Sequence, residues 1–350
     1  MAVLFASLGS AGDNSAWRRS ALSEKFVKKP RLALIGATGV VGRTTLDVFE
    51  EWNTPLAELR LFSSSDSSGT VIEFRGKQLL VEELVDIPQD VDTAILATSS
   101  KLSELWAPKL KHAGITVIDH SSRFRMQDDV PLVIPEINAD TLKNHHGLIA
   151  NPNCSASVIL LPLFGLHRRF GIEQIVVSTY QSVSGAGKAA IEELEQQLAD
   201  KSAKPSVFPV PIAGNVIPRI GSFNKEGVSG EEEKIGDEIR KILRAPEIHV
   251  LSTTVRVPVF VGHSASVTVR IAERAAIEEI YDSLTGIAGL VFEQNHFRTP
   301  LEIAGKQEVF VSRIRQDGSH PEWIQFWVVG DNLRKGAASN AVQILQELFS

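Results

Sequence analysis

Short apolar runs alternate with stretches that carry apolar residues at helical spacing over the first half of this chain. Residues 31–35 form an apolar run typical of a buried strand, and residues 43–52 have the periodicity of an amphipathic helix. Further strands are predicted at 58–62, 92–97 and 115–119, with a helix at 101–113. Repeated strand–helix units of this kind predict an α/β fold with a parallel, right-handed, doubly wound sheet.

Longer β-rich runs and a proline- and glycine-rich segment distinguish the second half of the chain. Helices are predicted at 188–201 and at 230–243, and the second has an acidic start and a basic end, as the helix dipole favours. Strands are predicted at 172–180, 249–260, 265–271, 309–314 and 323–329. This pattern predicts a second, α+β domain with a mixed sheet. A last helix, at 335–348, is expected to pack back on the first domain.

Charge and composition exclude several classes of protein. The net charge of −6 argues against nucleic acid or an anionic membrane as the main partner. The single cysteine rules out an intramolecular disulfide and fits a reducing, cytoplasmic setting. The longest apolar run, 158–163, is too short to span a bilayer, and no metal site is predicted.

A glycine-rich loop of the form G-x-x-G-x-x-G joins the first predicted strand to the first predicted helix. Its glycines allow a tight turn and a close approach of the backbone to a pyrophosphate, whose charge the helix N-terminus receives. Because the loop follows a strand and precedes a helix, it predicts a Rossmann-type dinucleotide-binding domain. The residues expected to contact the cofactor are Gly36, Thr38, Gly39, Val40, Val41 and Gly42.

The predicted elements divide the chain into three parts. Residues 1–29 are rich in basic residues, alanine and serine, and we interpret them as a flexible extension or the product of an early start codon. An organelle transit peptide is the alternative. The dinucleotide-binding domain covers 30–153 and is completed by the C-terminal segment 331–350, while 154–330 form the second domain.

Cys154 lies between a short run that ends in Asn151-Pro-Asn and a stretch with helical periodicity. Asparagine is a favoured N-cap and proline marks a turn, so Cys154 is expected in the first turn of a helix. The free N–H groups at that end would lower the pKa of the thiol towards neutrality and make it a nucleophile. The alternative is that a lone cysteine is a small buried hydrophobic residue.

Several separated motifs resemble those of the aspartate-β-semialdehyde dehydrogenase family, from about Arg31 to the C-terminus. Their joint presence in this order is more specific than a shared dehydrogenase fold. The motifs are the glycine loop and the segments 119–126, 151–155, 178–187, 256–263 and 331–337. The resemblance implies a homodimeric enzyme that reduces aspartyl-4-phosphate to aspartate semialdehyde with NADP, on the route to lysine, methionine, threonine and diaminopimelate.

The resemblance also implies roles for individual residues. Cys154 is expected to form an acyl-thioester, with His263 as the acid/base and Gln181 orienting the substrate carbonyl. Arg256 is expected to pair with the substrate carboxylate and Glu231 with its ammonium. The remaining expectations are Lys234 and Arg125 for phosphate, and Ser184, Gly185 and Asn332 for the cofactor.

The chemistry of these side chains suits such roles. Thiolate attack on an acyl phosphate divides a hard reduction into two easier steps. An imidazole titrates near neutral pH, a guanidinium binds a carboxylate through two parallel hydrogen bonds, and an ammonium suits a phosphate.

Each residue also has an ordinary structural alternative. His263 can be a turn residue, and Glu231 and Lys234, three positions apart on a helix, can be a solvated surface pair. Gln181 can satisfy loop backbone groups and Arg125 can be a surface charge. Arg256 is different, because a charge in an apolar strand needs a partner.

The loop after the second strand departs from the family pattern. In the family it usually reads Ser-x-Arg-Ser-Ala-Gly, and the arginine takes the 2′-phosphate of NADP. Here Asp66 stands at that position, followed by Ser67. A carboxylate repels a 2′-phosphate and commonly binds a ribose 2′-hydroxyl, which predicts relaxed or NAD-leaning specificity. The alternative is ordinary NADP use, with serine hydroxyls and backbone amides holding the phosphate.

Two other interpretations remain open at this stage. One is another acyl-phosphate reductase of the superfamily, such as N-acetyl-glutamyl-phosphate reductase, although Glu231 and Arg256 favour the aspartyl substrate. The other is a catalytically silent homologue that acts as a binding protein. The joint presence of Cys154, Gln181 and His263 speaks against it, since a decayed site would have lost at least one of them.

Overall fold

The computed structural model describes residues 27–350, so the predicted N-terminal extension lies almost wholly outside the described residues. Its last part lies beside the end of the chain, because the Val27 N–H donates to the Phe349 carbonyl at 2.9 Å. Within 27–350, no helix is both long and apolar enough to cross a lipid bilayer. In the same range, no group of three or more histidine, cysteine or acidic side chains is placed to hold a metal ion.

Seven strands make up the sheet of the first domain: β1 (Arg31–Ile35), β2 (Glu58–Ser63), β3 (Val71–Phe74), β4 (Lys77–Glu83), β5 (Thr93–Leu96), β6 (Thr116–Asp119) and β7 (Leu148–Ala150). Their order is β3-β4-β2-β1-β5-β6-β7. Every neighbouring pair is parallel except β3 and β4, which form an antiparallel hairpin at one edge. The predicted parallel sheet is confirmed, but the sequence analysis does not predict this hairpin, in which only Ile72, Phe74 and Val81 of the eleven strand positions are buried.

Nine α-helices occur within the described part of the chain: α1 (Val40–Glu51), α2 (Ser100–His112), α3 (Pro135–Asn138), α4 (Cys154–Phe170), α5 (Lys188–Ala199), α6 (Gly230–Leu243), α7 (Ile277–Leu284), α8 (Pro300–Ile303) and α9 (Ser339–Phe349). The predicted start of α1 at Arg43 is wrong by three residues, because Gly39 is the N-cap and the helix includes the last glycine of the loop. The helix predicted at 230–243 has the observed bounds.

Helices cover both faces of the first sheet, which confirms the doubly wound arrangement. Leu32 and Leu34 of β1 pack in the same core as α1 and α9. The alternate residues, Ala33 and Ile35, pack with α2 on the opposite face. A strand buried on both faces reads as a continuous apolar run, which is why β1 was recognisable from sequence.

The second domain contains a six-stranded mixed sheet, as predicted. Its strands are β8 (Ile172–Gln181), β9 (His249–Arg256), β10 (His263–Ile271), β11 (Leu290–Glu293), β12 (Val309–Gln316) and β13 (Trp323–Gly330). The order is β11-β12-β13-β10-β8-β9, and β8–β9 and β11–β12 are the parallel pairs. The strand predicted at 249–260 ends at Arg256, ahead of Pro258, and neither α7 nor β11 was predicted.

The end of the chain returns to the first domain. After β13, Arg334–Ala338 form a π-helical turn that runs into α9. Two ion pairs fasten this turn: Arg334 with Glu51 of α1, and Lys335 with Glu136 of α3 at 2.6 Å. The prediction that the last helix packs back on the first domain is confirmed.

Candidate active site

A cleft of about 280 Å³ separates the carboxyl edge of the first sheet from the second domain. It collects side chains from β8, α4, α6 and the returning C-terminal turn. The predicted site residues that line it are Val41, Arg125, Cys154, Gln181, Ser184, Gly185, Glu231, Lys234, Arg256 and Asn332. The structure therefore brings most of the predicted catalytic and substrate-binding residues together around one space.

Cys154 is the first residue of α4, as the sequence predicts. Asn153 is the N-cap, and its Oδ1 accepts hydrogen bonds from the N–H groups of Ser155 at 2.9 Å and Ala156 at 3.2 Å. This cap satisfies two of the N–H groups that a helix start leaves free. The thiol is thus fixed at the point where the helix enters the cleft.

Asn153 also connects α4 to two carboxylates of α6. Its Nδ2 donates to Glu231 Oε1 at 2.8 Å, and its backbone N–H donates to Glu238 Oε2 at 2.6 Å. Glu231 and Glu238 are seven residues apart and therefore lie on the same face of α6. The position of Cys154 is consequently coupled to that of α6.

The predicted lowering of the Cys154 pKa is wrong for this structure. Burial, and then the Glu231 carboxylate, raise the pKa of the thiol to about 12. The positive charges of Arg256 and Arg125 act in the opposite direction but are outweighed. Before a ligand enters the cleft, Cys154 is therefore a neutral thiol.

Gly336 closes the space beside the nucleophile. A methyl group placed on Gly336 would lie 3.0 Å from Cys154 Cβ and 3.3 Å from its carbonyl oxygen. Since backbone carbonyls cannot move as freely as side-chain ends, only glycine fits here without a shift of α4. The π-helical turn that carries Gly336 thus packs directly on the first turn of α4.

Arg125 is buried and already has protein partners. Its Nη1 donates to Glu238 at 2.9 Å, its Nε to the Asn151 carbonyl at 2.9 Å and its Nη2 to the His120 carbonyl at 2.7 Å. A guanidinium has five N–H groups, so two remain beyond these three contacts, and Arg125 is among the residues that line the cleft. The surface-charge alternative for Arg125 is wrong.

Glu231, Lys234 and Gln181 lie side by side. Glu231 is 8% exposed, and Lys234 Nζ lies 3.5 Å from its Oε2. Gln181, the last residue of β8, directs its Nε2 at Glu231 Oε1 at 3.4 Å. The pair is therefore not the solvated surface pair that its spacing alone allows, because the carboxylate points into the protein.

Arg256 and His263 converge on one backbone position. A methyl group placed on Gly185 would lie 3.0 Å from Arg256 Nη1 and 3.1 Å from His263 Nε2. His263 is 1% exposed, lies behind Gly185 rather than on the cleft surface, and has no partner for Nε2 among the described residues. Burial, and then the charge of Arg256, hold the pKa of His263 well below its usual range, so the ring is neutral.

Asn332 and Ser184 belong to a buried network behind the same turn. Asn332 Oδ1 accepts from the Gly262 N–H at 2.9 Å, and its Nδ2 donates to Ser184 Oγ at 3.0 Å. Because the Gly262 N–H can only donate, the Asn332 side-chain atom that faces it must be the oxygen, which fixes the orientation of the amide. This network joins β13 to the turn after β8.

The glycine loop has the shape that a dinucleotide requires. Gly36 has φ +89°, and a methyl group on it would lie 2.3 Å from the Ala97 carbonyl oxygen. One on Gly42 would lie 2.2 Å from the Gly36 carbonyl oxygen. Gly39 caps α1 without a side-chain hydrogen bond, which leaves N–H groups available at the helix start. The cradle therefore fits a pyrophosphate.

The remaining predicted cofactor residues follow β2. Asp66 and Ser67 lie on a 3₁₀ turn, Ser65–Ser67, and Asp66 is exposed. Thr38 of the glycine loop and Ser63 at the end of β2 share a hydrogen bond of 2.8 Å. These residues lie outside the cleft around Cys154, at the loop where the ribose end of a dinucleotide would be expected.

Two family models match the chain. "Semialdehyde dehydrogenase, NAD binding domain" covers residues 31–145, and "Semialdehyde dehydrogenase, dimerisation domain" covers residues 163–335. Aspartate-semialdehyde dehydrogenase of Aquifex aeolicus is 42% identical over 331 residues, which are 91% of this chain and 97% of that protein. The chain belongs to the aspartate-semialdehyde dehydrogenase family.

Other members of the family show the same likeness. The enzyme of Bacillus subtilis is 38% identical over 334 residues, 91% of this chain and 96% of that protein. A crystal structure of aspartate semialdehyde dehydrogenase II of Vibrio cholerae, complexed with ASA, is 41% identical with a TM-score of 0.90. It covers 92% of this chain and 98% of that one.

Several residues that build this aspartate-semialdehyde dehydrogenase family site were not singled out from sequence. They are His120, Asn153 as a tether, Ser182, Glu238 and Gly336. For Glu238 a signal existed, since it repeats Glu231 at helical spacing. His120 lines the cleft, and burial together with Arg125 lowers its pKa to about 3.

Proposed function

We propose that this chain catalyses the reversible reductive dephosphorylation of L-aspartyl-4-phosphate to L-aspartate-4-semialdehyde and phosphate, through an acyl-thioester on Cys154. This reaction belongs to the biosynthesis of lysine, methionine and threonine. The observation that carries the proposal is the placement of Cys154 at a helix start, in one cleft with an amide, a carboxylate and three cationic side chains.

The chemistry divides into two parts. The Cys154 thiolate attacks the C4 carbonyl, a C–S bond forms, and the C–O bond to phosphate breaks. The backbone at Gly36, Gly39 and Gly42 would hold a nicotinamide dinucleotide, and this cofactor would supply the hydride that reduces the thioester. The resulting tetrahedral oxyanion collapses, the C–S bond breaks, and the aldehyde and the thiolate are released.

Substrate binding would prepare the nucleophile. We assign Glu231 to the substrate ammonium, and the Glu231 carboxylate is also a group that raises the pKa of Cys154. An ammonium bound at Glu231 offsets that negative charge, so the pKa of the thiol falls when the correct substrate enters. Water excluded from the cleft by the substrate strengthens the effect of Arg256 and Arg125.

Charged groups of the cleft suit the rest of the substrate. Arg256 is 5% exposed, uses Nη1 on the Ser182 carbonyl, and keeps other N–H groups for a carboxylate. Lys234 and the two remaining N–H groups of Arg125 suit a phosphate leaving group. Each proposed contact therefore pairs a charge of the substrate with an opposite charge of the site.

Gln181 and His263 are proposed as the two donors to the oxyanion, rather than the backbone N–H groups at the start of α4. The Ser155 and Ala156 N–H groups are already used by the Asn153 cap. Gln181 Nε2 has only long contacts of 3.4 Å to protein, which a substrate oxygen would outcompete. His263 is proposed as the group that exchanges a proton with the sulfur or the oxyanion.

Nicotinamide reduction tests the proposal directly. The enzyme is given aspartate semialdehyde and phosphate with NADP or NAD, and absorbance of the reduced cofactor is followed. We expect phosphate-dependent turnover that is lost in Cys154→Ser. No turnover by the folded protein with either cofactor would contradict the proposal, and N-acetyl-glutamate semialdehyde is the next substrate to assay.

For the cofactor, we infer relaxed or NAD-leaning use rather than strict NADP use. Asp66 is exposed at the loop after β2 and forms no ion pair with any residue in 27–350, so its charge is free to repel a 2′-phosphate. Asp66→Ser and Asp66→Arg should raise kcat/KM for NADP relative to NAD, the arginine more strongly. A large NADP preference in the wild-type enzyme would overturn this inference.

We also propose a homodimer that forms through the outer face of the second sheet. That face exposes Val176, Tyr180 and Leu251, and the Tyr180 ring lies 5.5 Å from Trp327. An apolar sheet face of this kind is typical of an interface. In sedimentation velocity, Val176→Glu should weaken the dimer. The control Leu301→Glu, at an exposed position of α8, should leave it intact.

A further inference from the structure

Ser182 lies between three residues to which roles are proposed above, although it has no assigned role itself. It is completely buried, directly after β8. Its N–H donates to His263 Nδ1 at 3.1 Å, and its carbonyl accepts from Arg256 Nη1 at 2.5 Å. Its hydroxyl oxygen lies 3.0 Å from His263 Nδ1 and 3.0 Å from Asn332 Oδ1.

The backbone of Ser182 determines the resting state of the imidazole. An amide N–H can only donate, so Nδ1 of the neutral ring acts as the acceptor and the ring proton is on Nε2. Nε2 faces the Gly185 backbone beside the cleft. In this tautomer His263 can give a hydrogen bond at Nε2 but cannot take a proton there.

The hydroxyl of Ser182 offers a second arrangement. Asn332 Oδ1 is an acceptor whose orientation is fixed by the Gly262 N–H at 2.9 Å. The Ser182 hydroxyl oxygen also lies 3.0 Å from Ser184 Oγ. Of the partners that bear on His263, the O–H can point at His263 Nδ1 or at Asn332 Oδ1. When the hydroxyl points at Asn332, a lone pair of its oxygen faces Nδ1. That lone pair can accept a hydrogen bond from Nδ1 when Nδ1 carries a proton.

We propose that Ser182 is a positioning residue that allows His263 to change its protonation state during turnover. Its hydroxyl donates to Nδ1 while Nε2 carries the ring proton. When exchange with water moves the ring proton to Nδ1, the hydroxyl rotates to donate to Asn332 Oδ1 and accepts from Nδ1–H. Nε2 is then free to take the proton of the Cys154 thiol, and it returns that proton to the thiolate that is released with the aldehyde. This inference rests on the proposed function, since it assumes that His263 exchanges protons in the reaction.

The charged surroundings of His263 make such a partner necessary. Arg256 on β9 opposes a positive charge on the ring, and burial does so too. Asp331, next to the β13 residue that pairs with His263, uses its carboxylate on the N–H groups of Gly305 and Leu333. The titratable groups of the adjoining cleft also include Glu231, Lys234, Arg125 and His120, together with Cys154, which is a neutral thiol at rest.

Side-chain and backbone roles of Ser182 predict separate kinetic effects. Ser182→Ala removes the hydroxyl but keeps the carbonyl that holds Arg256. We expect kcat to fall about ten- to a hundredfold, the typical effect of losing a hydrogen bond to a charged group. KM for aspartate semialdehyde should stay within about twofold, because the Arg256 contact with the backbone persists.

The pH profile gives a readout that a merely structural role would not move. Without the hydroxyl, protonated His263 is less stable, so the ionisation of kcat that belongs to His263 moves to lower pH in Ser182→Ala. Ser182→Thr keeps the hydroxyl and should restore both kcat and the profile. Ser283→Ala, which removes another buried hydroxyl near the far end of α4, should behave as the wild-type enzyme.

A spectroscopic measurement separates this inference from the proposed function. In protein with ¹⁵N-labelled histidine, ring ¹⁵N–¹H correlation spectra near neutral pH should show the His263 proton on Nε2, assigned by its loss in His263→Asn. A proton on Nδ1 would overturn the inference even if the enzyme is active. An unchanged kcat and pH profile in Ser182→Ala would also overturn the inference, as would a Ser182→Ala variant in which only KM rises. Absence of turnover in the wild-type enzyme would instead refute the proposed function.

Discussion

Asn153 Nδ2 donates a hydrogen bond of 2.8 Å to Glu231 Oε1. The N-cap of α4, the helix that begins at Cys154, is therefore linked directly to the Glu231 carboxylate. The same asparagine uses its Oδ1 on the first N–H groups of α4. A ligand that engages Glu231 therefore acts on the residue that precedes Cys154. This arrangement makes the state of the thiol depend on what occupies the cleft.

Replacement of Glu231 should make the resting thiol more reactive. The Glu231 carboxylate raises the pKa of Cys154, so Glu231→Gln lowers that pKa while an amide oxygen can still accept from Asn153. We expect faster alkylation by iodoacetamide at pH 8 and a higher KM for aspartate semialdehyde. Glu233→Gln, an exposed position of the same helix, is the matched control. Equal alkylation rates in the two variants would refute this coupling.

Gly336→Ala should damage the site through packing alone. The added methyl group would lie 3.0 Å from Cys154 Cβ, which forces α4 or the π-helical turn to shift. Overpacking of this kind costs about 1–3 kcal/mol, and a displaced nucleophile lowers kcat by about a hundredfold. Gly318→Ala has open space around it and serves as the control. A wild-type kcat in Gly336→Ala would show that the turn moves to accommodate the methyl group without displacing Cys154, which would contradict this prediction.

The buried pair of Arg125 and Glu238 should contribute more to folding than a surface pair. Their side chains are 8% and 1% exposed, and loss of Glu238 leaves a buried charge and the Asn153 N–H without a partner. We expect Glu238→Ala to lower the free energy of unfolding by about 3–5 kcal/mol in urea titrations.

A matched comparison is available at the surface. Asp140 pairs with Arg244 at exposed positions, with side chains that are 62% and 55% exposed. Asp140→Ala should therefore cost below about 1 kcal/mol. Similar losses of unfolding free energy in Asp140→Ala and Glu238→Ala would contradict the prediction that burial makes the Arg125–Glu238 pair the more important one.

Acid should destabilise the protein partly through His120. Burial, with a smaller effect of Arg125, lowers the pKa of His120 from 6.5 to about 3. Between these values the unfolded chain binds a proton that the folded chain does not, so stability is present above pH 6.5 and is lost as the pH falls. From pH 7 to pH 5 this amounts to about 2 kcal/mol.

The substitution His120→Asn tests this dependence. Urea unfolding at pH 7 and pH 5 should show a smaller loss of stability in the variant than in the wild-type protein. The comparison uses the difference between the two pH values, so a constant cost of the substitution cancels. An equal loss in both proteins would mean that other groups account for the acid sensitivity.

Local rules of sequence were sufficient for much of the fold. Helix α6 has the predicted bounds because Ser229 and Glu232 form a capping box and the basic residues lie in its last turn. Asn153 at the N-cap gave the start of α4 in the same way. The edge hairpin β3–β4 was harder to find, because apolar residues such as Val71 and Leu80 are exposed and do not mark a single buried face.

The site shows where local rules end. A cysteine at a helix start is expected to have a lowered pKa, yet burial and Glu231, which is far away in sequence, reverse the direction. The contact of Gly336 with Cys154 joins distant segments that only the fold brings together. Which side chains share the cleft followed from the family motifs, whereas their charge states followed from packing.

The return of the C-terminal segment to the first sheet has a consequence for biosynthesis. Leu32, Leu34 and Phe49 belong to a core that includes residues of α9. During translation, the strands and α1 of this domain emerge before the second domain, whereas α9 emerges after it. The apolar face must therefore stay uncovered while the whole second domain is synthesised, until the helix that seals it has been made.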